Sequence, residues 1–322
     1  MKMKKMRFTL LALFVGLVTL TSGQDINEAG AKYNEGAELD KAKNYSGAIQ
    51  AWEESIKICE AVGAEADELK ATVQKVLAYT YFKEGITLYK QKEYDQAIAA
   101  LINSEKIATL IDDARTQKQA STYIPKIFAT KGLELLQDKK HDAALEVFNN
   151  ALEHNPKCVD AFYGIGMTYK DMNQIDKATE AFDNVLLYGE GIDAAEKKVE
   201  SAKEAALVLL ETNAATELQN NNSAETLKLL TKALEYSQNS YNTYYLLALA
   251  NNKLKNWDAT IEAAKKAMAL STENASALNF QLGIAYEGKN DVANACASYK
   301  KVTSGPNVEL AKFQIAQVLK CN

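Results

Sequence analysis

The chain has 322 residues, of which 47% are hydrophobic and 25% are charged, the proportions of an ordinary soluble protein. Its 3 prolines and 15 glycines are few for a protein rich in loops or strands, so the composition favours helices. The formal net charge of −5 makes nucleic acid and anionic membrane surfaces poor candidates as partners.

The first 23 residues have the pattern of a secretory signal peptide. Four basic residues precede an apolar run over residues 8–20, and small residues lead to a cleavage point after Gly23. The run is shorter than the roughly 20 residues that cross a bilayer, and the first cysteine, Cys59, is too far downstream to carry a lipid. We therefore expect a secreted, soluble mature protein, periplasmic or extracellular, without a transmembrane span or lipid anchor.

A pattern of residue types recurs seven times along the rest of the chain. Each copy has a small residue, then Ala or Thr twelve places later, then an apolar residue four places on and a small or apolar residue three places further. Helices joined by a short turn cross closely only where side chains are small, so each copy predicts a helix pair. The sets are Gly36, Ala48, Trp52, Ser55; Gly85, Ala97, Leu101, Ser104; Gly132, Ala144, Phe148, Ala151; Gly166, Ala178, Phe182, Val185; Ala214, Thr226, Leu230, Ala233; Ala248, Thr260, Ala264, Ala267; and Gly283, Ala295, Tyr299, Val302.

At this spacing the pattern resembles the tetratricopeptide repeat, and the third copy is the fullest match. The resemblance implies an all-α fold, a right-handed superhelical solenoid of about seven helix-turn-helix repeats with a C-terminal capping helix at 307–322. Copies five and six depart from the motif, with Ala for Gly and Thr for Ala, but keep small volumes. Within an array at 24–306, the repeats are expected near residues 29–62, 64–111, 112–156, 158–190, 193–238, 240–272 and 274–304.

The steps between copies are uneven, and three of them carry 13 to 15 additional residues, about four helical turns. Because Gly63, Gly189 and Gly191 mark the ends of the preceding helices, we place the extra turns on the first helices of repeats two, three and five. Pro125 would then lie inside a helix and bend it. Alternatively, Pro125 begins a helix of normal length and the extension belongs to the helix before it.

The four cysteines match no metal-binding spacing. Cys296 and Cys321 lie on the last two predicted helices, which must pack together. A disulfide between them requires Cα atoms within about 7 Å, which leaves the pairing open at this point. The terminal helix has apolar residues at Val308, Leu310, Ala311, Phe313, Ile315, Ala316 and Val318, an amphipathic pattern expected to cover the open end of the repeats.

No residues with catalytic spacing stand out. His141 and His154 lie on one predicted helix without an acidic or cysteine neighbour at metal-site spacing, and we interpret both as solvated polar residues. Gly164 and Gly166 fall inside a helical pattern and are interpreted as packing glycines. No nucleophile, base and orienting group can be proposed together, so the sequence predicts a protein that is not an enzyme and has no cofactor or metal.

The position three residues before each small crossing residue is aromatic in five of seven repeats. In the architecture that the resemblance implies, this position faces a concave groove, although such rings can equally pack in the core. The peptide-carboxylate clamp of chaperone-binding relatives needs Lys and Asn at groove positions that carry rings or Ala in this chain, so that partner class is not expected. The predicted groove residues are Tyr33, Phe82, Tyr89, Tyr163, Met167, Lys170, Tyr245, Leu249, Asn252, Phe280 and Glu287, with Lys253 beside them.

Two functions are compatible with such a groove. The first is a scaffold that binds a protein or peptide partner, in association with an envelope complex. The second is a periplasmic binder of a small ligand, such as a glycan, that stacks on the groove aromatics. The first is favoured, because a solenoid groove is open whereas small ligands usually need a pocket that buries most of their surface.

Overall fold

A computed structural model of the protein describes residues 22–321, and within this range it contains fifteen α-helices and no strand. The predicted signal peptide lies outside the described residues except for Ser22 and Gly23, which begin the first helix. None of the described helices combines the length and the apolar character needed to cross a membrane.

The helices α1 to α14 form seven consecutive hairpins, and the first of them begins at Ser22, before the predicted start of repeat one near residue 29. The predicted all-α class, built of tandem helix pairs, is confirmed. A 3₁₀-helix at Ala64–Ala66 precedes α3, and a π-helix at Gln314–Val318 continues α15. The helices are α1 (Ser22–Lys41), α2 (Tyr45–Val62), α3 (Asp67–Lys90), α4 (Tyr94–Leu110), α5 (Ala114–Gln137), α6 (His141–His154), α7 (Val159–Asp171), α8 (Ile175–Gly189), α9 (Glu196–Gln219), α10 (Ser223–Tyr236), α11 (Tyr241–Lys253), α12 (Trp257–Leu270), α13 (Ala275–Gly288), α14 (Val292–Tyr299) and α15 (Val308–Phe313).

The chain divides into two compact bodies, an N-terminal body that ends at Ile127 and a C-terminal body that begins at Phe128. Each body has its own hydrophobic core, in which alanines on one helix face large side chains on the next. In the N-terminal body the core includes Ala48, Trp52, Val73 and Leu77. In the C-terminal body the largest cluster includes Ala178, Phe182, Leu210, Leu230 and Tyr236.

The small residue of each repeat lies where the two helices of its hairpin cross. A Cβ atom added to Gly85 would lie 2.7 Å from Leu101, and one added to Gly166 would lie 2.5 Å from the Phe182 ring. Real Cβ contacts are essentially never this short, so a side chain at either glycine would force the neighbouring side chain to move. The packing role predicted for the repeated small residue is confirmed by the same geometry at Gly36 with Trp52, Gly132 with Phe148 and Gly283 with Tyr299.

Three first helices are longer than the others. α3, α5 and α9 each have 24 residues, whereas α7 and α11 have 13 and α13 has 14. These are the first helices of repeats two, three and five, where the sequence places the extra turns. Pro125 lies inside α5, so the first of the two predicted placements is confirmed and the alternative, a helix that begins at Pro125, is wrong.

The turn between the helices of each hairpin contains a residue with left-handed backbone conformation. This residue follows the C-terminus of the first helix, the position at which glycine is usually found. Here all seven are lysine or asparagine, with φ between 53° and 66°: Lys43, Lys92, Lys139, Asn173, Asn221, Lys255 and Asn290.

Replacing Lys43 with glycine is expected to stabilise the protein by about 0.5–1 kcal/mol. A left-handed conformation costs a residue with a Cβ about 1–2 kcal/mol, and the greater freedom of glycine in the unfolded chain offsets only part of this. The midpoint of urea unfolding measures the change. The matched control is Lys106→Gly, at an exposed position inside α4, where loss of the side chain should destabilise the protein by about 1 kcal/mol. Equal effects of the two substitutions would contradict the interpretation.

The C-terminal helix packs against the last hairpin. Ala311 is 1% exposed and lies in a cluster with Phe280, Tyr299 and Val302. Cys296 of α14 and Cys321 form a disulfide, with Cα atoms 5.8 Å apart. The prediction of one apolar face was wrong for Leu310, Phe313 and Val318, which are 48%, 54% and 48% exposed, because the apolar residues of this helix occupy two sides and only one side meets the hairpin.

Candidate functional site

An open cleft of about 510 Å³ lies in the C-terminal body between the end of α5 and α7. We call it the Tyr163 cleft. Its apolar residues are half-buried, whereas most of its polar residues are exposed, so an apolar patch is bordered by charges. The lining residues are Leu133, Leu136, Gln137, Lys139, Tyr163, Met167, Lys170 and Asp171.

The repeat spacing determines which face of α7 borders this cleft. Tyr163, Met167 and Lys170 follow one another at helical spacing and therefore share a face. Elsewhere on the helix surface, a Cβ at Gly164 would meet the Phe148 ring and a Cβ at Gly166 would meet Phe182. Because the two glycines seat α7 against both neighbouring rings, the remaining face is left for the cleft.

Residues outside the cleft fix the position of the Tyr163 ring. The Lys198 ammonium lies over this ring, 5.5 Å from its centroid, and forms an ion pair with Asp160 of α7. The Phe182 ring lies 6.4 Å away on another side. These contacts restrict rotation of the Tyr163 ring.

A cluster of charges forms the edge of the Tyr163 cleft. Asp171 accepts hydrogen bonds from the Lys139 ammonium at 2.8 Å, and its other oxygen lies 2.6 Å from Nε2 of His141. The hydrogen bond from Lys139, followed by that from His141, holds the pKa of Asp171 below its usual range. The helical spacing did not reveal this partner of His141, because Asp171 lies thirty positions away in sequence.

The Tyr163 cleft lies almost entirely within a recognised repeat. Residues 135–196 match the family model of the tetratricopeptide repeat (TPR). This TPR segment runs from the last residues of α5 to the first residue of α9, and it includes every residue of α7. The resemblance noted at the third and fourth copies therefore has independent support at these residues.

Two relatives are similar to longer stretches of the chain than the family model is. A TPR repeat-containing protein of Methanocaldococcus jannaschii is 22% identical over 259 residues, 73% of this chain and 44% of that protein. The uncharacterized protein ycf37 of Guillardia theta is 28% identical over 110 residues, 34% of this chain and 56% of that protein. The chain thus spans about half the length of the curated relatives it matches. Among solved structures, a TPR protein from Parabacteroides merdae covers 92% of this chain and 100% of its own, at 15% identity and a TM-score of 0.29.

A second cleft, of about 750 Å³, lies in the N-terminal body between α1, α3 and the start of α5. We call it the Arg115 cleft. Asp40 accepts hydrogen bonds there from the Thr80 hydroxyl at 3.0 Å and from the Lys83 ammonium. The lining residues are Tyr33, Ala37, Asp40, Lys41, Trp52, Lys75, Val76, Tyr79, Thr80, Lys83, Asp113, Arg115 and Thr116.

The predicted groove residues of the first four repeats have different surroundings. Tyr163, Met167 and Lys170 share the Tyr163 cleft, and Tyr33 lines the Arg115 cleft. The ring of Phe82 lies 6.0 Å from that of Tyr79 and 5.8 Å from that of Tyr123, and the ring of Tyr89 lies 6.2 Å from that of Tyr94. Both Phe82 and Tyr89 are half-buried and line neither cleft.

In repeats six and seven, most predicted groove residues are engaged by neighbouring helices. Asn252 is 8% exposed and donates to the Gln281 carbonyl at 3.2 Å, and Phe280 is 6% exposed. The Phe280 ring packs against Tyr299 at 5.7 Å, and the Tyr299 hydroxyl donates to Glu287 at 2.9 Å. Little of the surface of Asn252 or Phe280 is therefore left for a partner.

Tyr245 and Leu249 of α11 are half-buried and keep part of their surface in water. The Tyr245 ring stacks on Tyr241, with centroids 5.9 Å apart, and its burial raises the pKa of its hydroxyl. Lys253 donates to the Leu218 carbonyl and to Asn221, both at 3.0 Å, and so its ammonium is held by the preceding repeat. Tyr245 and Leu249 are therefore less buried than Asn252 of the same helix.

Sequence reasoning missed the charged part of the Arg115 cleft. Lys75 lies in the extra turns of α3, before the part that recurs between repeats, and Arg115 begins the extra turns of α5. One signal was present in the sequence, since Arg115 is the single arginine after Arg7 in a chain whose other basic residues are lysines.

The two free cysteines of the described residues are buried in surroundings that lower their reactivity. Cys59 and Cys158 are free and buried, and desolvation raises the pKa of both thiols, which keeps them protonated and poorly nucleophilic. Between residues 22 and 321, no group of three or more His, Cys, Asp or Glu side chains is placed to hold a metal ion.

Proposed function

We propose that the protein is a non-enzymatic scaffold that holds a protein or peptide partner in the Tyr163 cleft. The observation that carries this proposal is the half-buried apolar surface of Leu133, Leu136, Tyr163 and Met167, bordered by Lys139, Lys170 and Asp171. Burial of this surface by apolar side chains of a partner would stabilise the complex by about 25 cal/mol per Å² of apolar area. The charged border can hydrogen-bond a peptide backbone.

A protein or peptide fits this cleft better than a small ligand. Only the end of α5, the turn after it and α7 supply lining residues, so the cleft is open and would leave much of a small molecule in water. A segment of extended or helical chain can instead lie across it and continue along the neighbouring surface.

The proposal includes secretion and association with an envelope complex. The signal-peptide pattern of residues 1–23 supports export, and the disulfide between Cys296 and Cys321 supports an oxidising compartment, where such bonds persist. The protein would then meet its partner outside the reducing cytosol.

Photo-crosslinking tests the location of the partner. A photoreactive amino acid at position 170, in the Tyr163 cleft, should crosslink one specific envelope protein. The same amino acid in place of exposed Asn149 of α6 should not, since Asn149 lies outside both clefts. With the crosslinked partner then purified, Tyr163→Ala with Met167→Ala should weaken binding by at least about tenfold, because central apolar contacts dominate such interfaces.

Two results would contradict the proposal. The first is equal crosslinking from positions 149 and 170, together with unchanged affinity of the double variant. The second is a thermal midpoint that rises with oligosaccharides while no protein is captured, which would favour the small-ligand function.

A further inference from the structure

The Arg115 cleft carries more positive than negative charge, in contrast to the chain as a whole, whose formal net charge is −5. Two carboxylates and four cations line it: Asp40, Asp113, Lys41, Lys75, Lys83 and Arg115. A local excess of cations attracts negatively charged groups to the cleft, whereas the acidic remainder of the protein repels them.

Both carboxylates of the cleft are already engaged within the protein. Asp40 accepts hydrogen bonds from the Thr80 hydroxyl and from the Lys83 ammonium. Asp113 caps the start of α5, where it accepts from the Thr116 amide at 3.1 Å and from the Thr116 hydroxyl at 2.7 Å. The hydrogen bond from the Thr116 hydroxyl is the main cause that lowers the pKa of Asp113, so this carboxylate serves as a helix cap.

Two of the cations are not neutralised in this way. Lys83 is paired with Asp40, and Lys41 is paired with Glu38 at 2.6 Å. Within the described part of the chain, Lys75 and Arg115 are exposed and form no ion pair, although the charge of Lys75 helps to lower the pKa of Asp113. The guanidinium of Arg115 can bind a carboxylate through two parallel hydrogen bonds.

Aromatic rings line the same cleft as these two cations. Tyr79 is 42% exposed, and its ring is steadied by Phe82 at 6.0 Å and by the Lys83 ammonium 5.3 Å from its centroid. Tyr33 lines the same cleft from α1, where its carbonyl accepts a hydrogen bond from the buried Trp52 indole at 3.0 Å. The cleft thus offers aromatic faces together with two exposed cations.

We propose that the Arg115 cleft binds an acidic segment of a partner protein. Side-chain carboxylates of the segment pair with Lys75 and Arg115, and an apolar or aromatic residue between them packs on Tyr33 and Tyr79. The cations come from the extra turns of α3 and α5, so this is not the arrangement of Lys and Asn at repeated groove positions. The inference rests on the proposed role in partner binding, but not on the Tyr163 cleft.

The net negative charge of the protein favours a short acidic segment over a long polyanion. A long polyanion such as nucleic acid would extend over the acidic remainder of the surface, where it is repelled. In the same body, a second depression is lined by three carboxylates and one cation, Asp25, Glu28, Glu54 and Lys57. A short acidic segment places its charge only at the cleft.

Calorimetric titration of the full chain with synthetic peptides tests the proposal. The probe is an acetylated and amidated dodecapeptide in which Asp and Glu alternate with Phe and Leu. It should bind at least about tenfold more tightly than the same peptide with Asn and Gln in place of the acids. Lys75→Gln with Arg115→Gln should remove that tenfold preference, and added salt should weaken binding to the unchanged protein.

A matched control removes the same charge elsewhere. Lys106→Gln with Lys197→Gln changes two exposed lysines that line neither cleft, and it should leave the affinity for the acidic peptide within about twofold. All four substituted side chains are exposed, so the variants should fold, and circular dichroism verifies this.

Several outcomes would overturn the inference. These are equal binding of the acidic and amide peptides, unchanged binding by the Lys75 and Arg115 variant, or equal loss in the control. Equally tight binding of a neutral peptide with a free C-terminal carboxylate, or of a twelve-nucleotide single-stranded DNA, would also overturn it. Loss of crosslinking from position 170 with acidic-peptide binding intact would instead count against the Tyr163 cleft alone.

Discussion

Gly166→Ala is expected to destabilise the protein by about 2 kcal/mol, although alanine is the better helix former. The helix propensity of alanine favours the substitution by about 1 kcal/mol. Against this, the new Cβ would lie 2.5 Å from the ring of Phe182, which is 0% exposed and surrounded by core residues. Overpacking of this kind costs about 1–3 kcal/mol, and here the fully buried ring leaves little room for relief. The free energy of urea unfolding measures the net effect.

Two matched variants separate the clash from other effects. Gly30 also lies inside a helix, but a Cβ there would meet nothing within 4 Å, so Gly30→Ala should stabilise by up to about 1 kcal/mol. Repeat five already pairs Ala214 with Leu230, and both are fully buried. In a Phe182→Leu background, which rebuilds that pair, Gly166→Ala should therefore become nearly neutral. A cost that is the same in both backgrounds would show that the Phe182 ring is not its cause.

The same size relation explains why the fold could be read from the sequence. Glycine at the crossing is paired with a large residue, as at Gly36 with Trp52, whereas the larger Ala248 is paired with the small Ala264. Because packing at each crossing is local, the spacing of small and large residues fixes the helix pairs without knowledge of the rest of the molecule. The extra length of α3, α5 and α9 was predicted from the steps between successive copies of this pattern.

The clefts could be predicted only in part. Tyr163, Met167 and Lys170 were found because they occupy repeated positions on α7, but Phe280 occupies the same repeated position as Tyr163 and is buried, since the terminal helix packs against its cluster. A position within a repeat determines which face a side chain is on, but not which neighbour covers that face.

Contacts between residues far apart in sequence could not be read from the repeat at all. The pairing of His141 with Asp171 joins the start of α6 to the end of α7, and the Arg115 cleft combines turns of α3 and α5 that have no counterpart in most repeats. Both depend on how the irregular extra turns and successive hairpins are placed in space, for which the repeated spacing carries no signal.

Removal of the disulfide between Cys296 and Cys321 is expected to have the largest effect on local stability. The bond closes a loop with a sequence separation of 25, and restriction of the unfolded chain by a loop of this length is worth about 3 kcal/mol in the chain-entropy treatment. The loss of stability should be confined to the end of the chain, since repeat arrays are stabilised by contacts between neighbouring repeats. The exposed apolar residues Leu310 and Phe313 show that α15 contacts the last hairpin with one side only, so few other contacts replace the bond.

Hydrogen exchange of the backbone amides of α15 measures this effect. In Cys296→Ala with Cys321→Ala, or after reduction of the unchanged protein, protection of the Ala311 amide should fall by about a hundredfold, while amides of α7 and α8 keep their protection. Reduction of the double variant is the control, and it should change nothing, because Cys59 and Cys158 are already free thiols. If protection of α15 survived reduction, the packing of Ala311 against Tyr299 and Val302 would by itself be sufficient to hold the terminal helix.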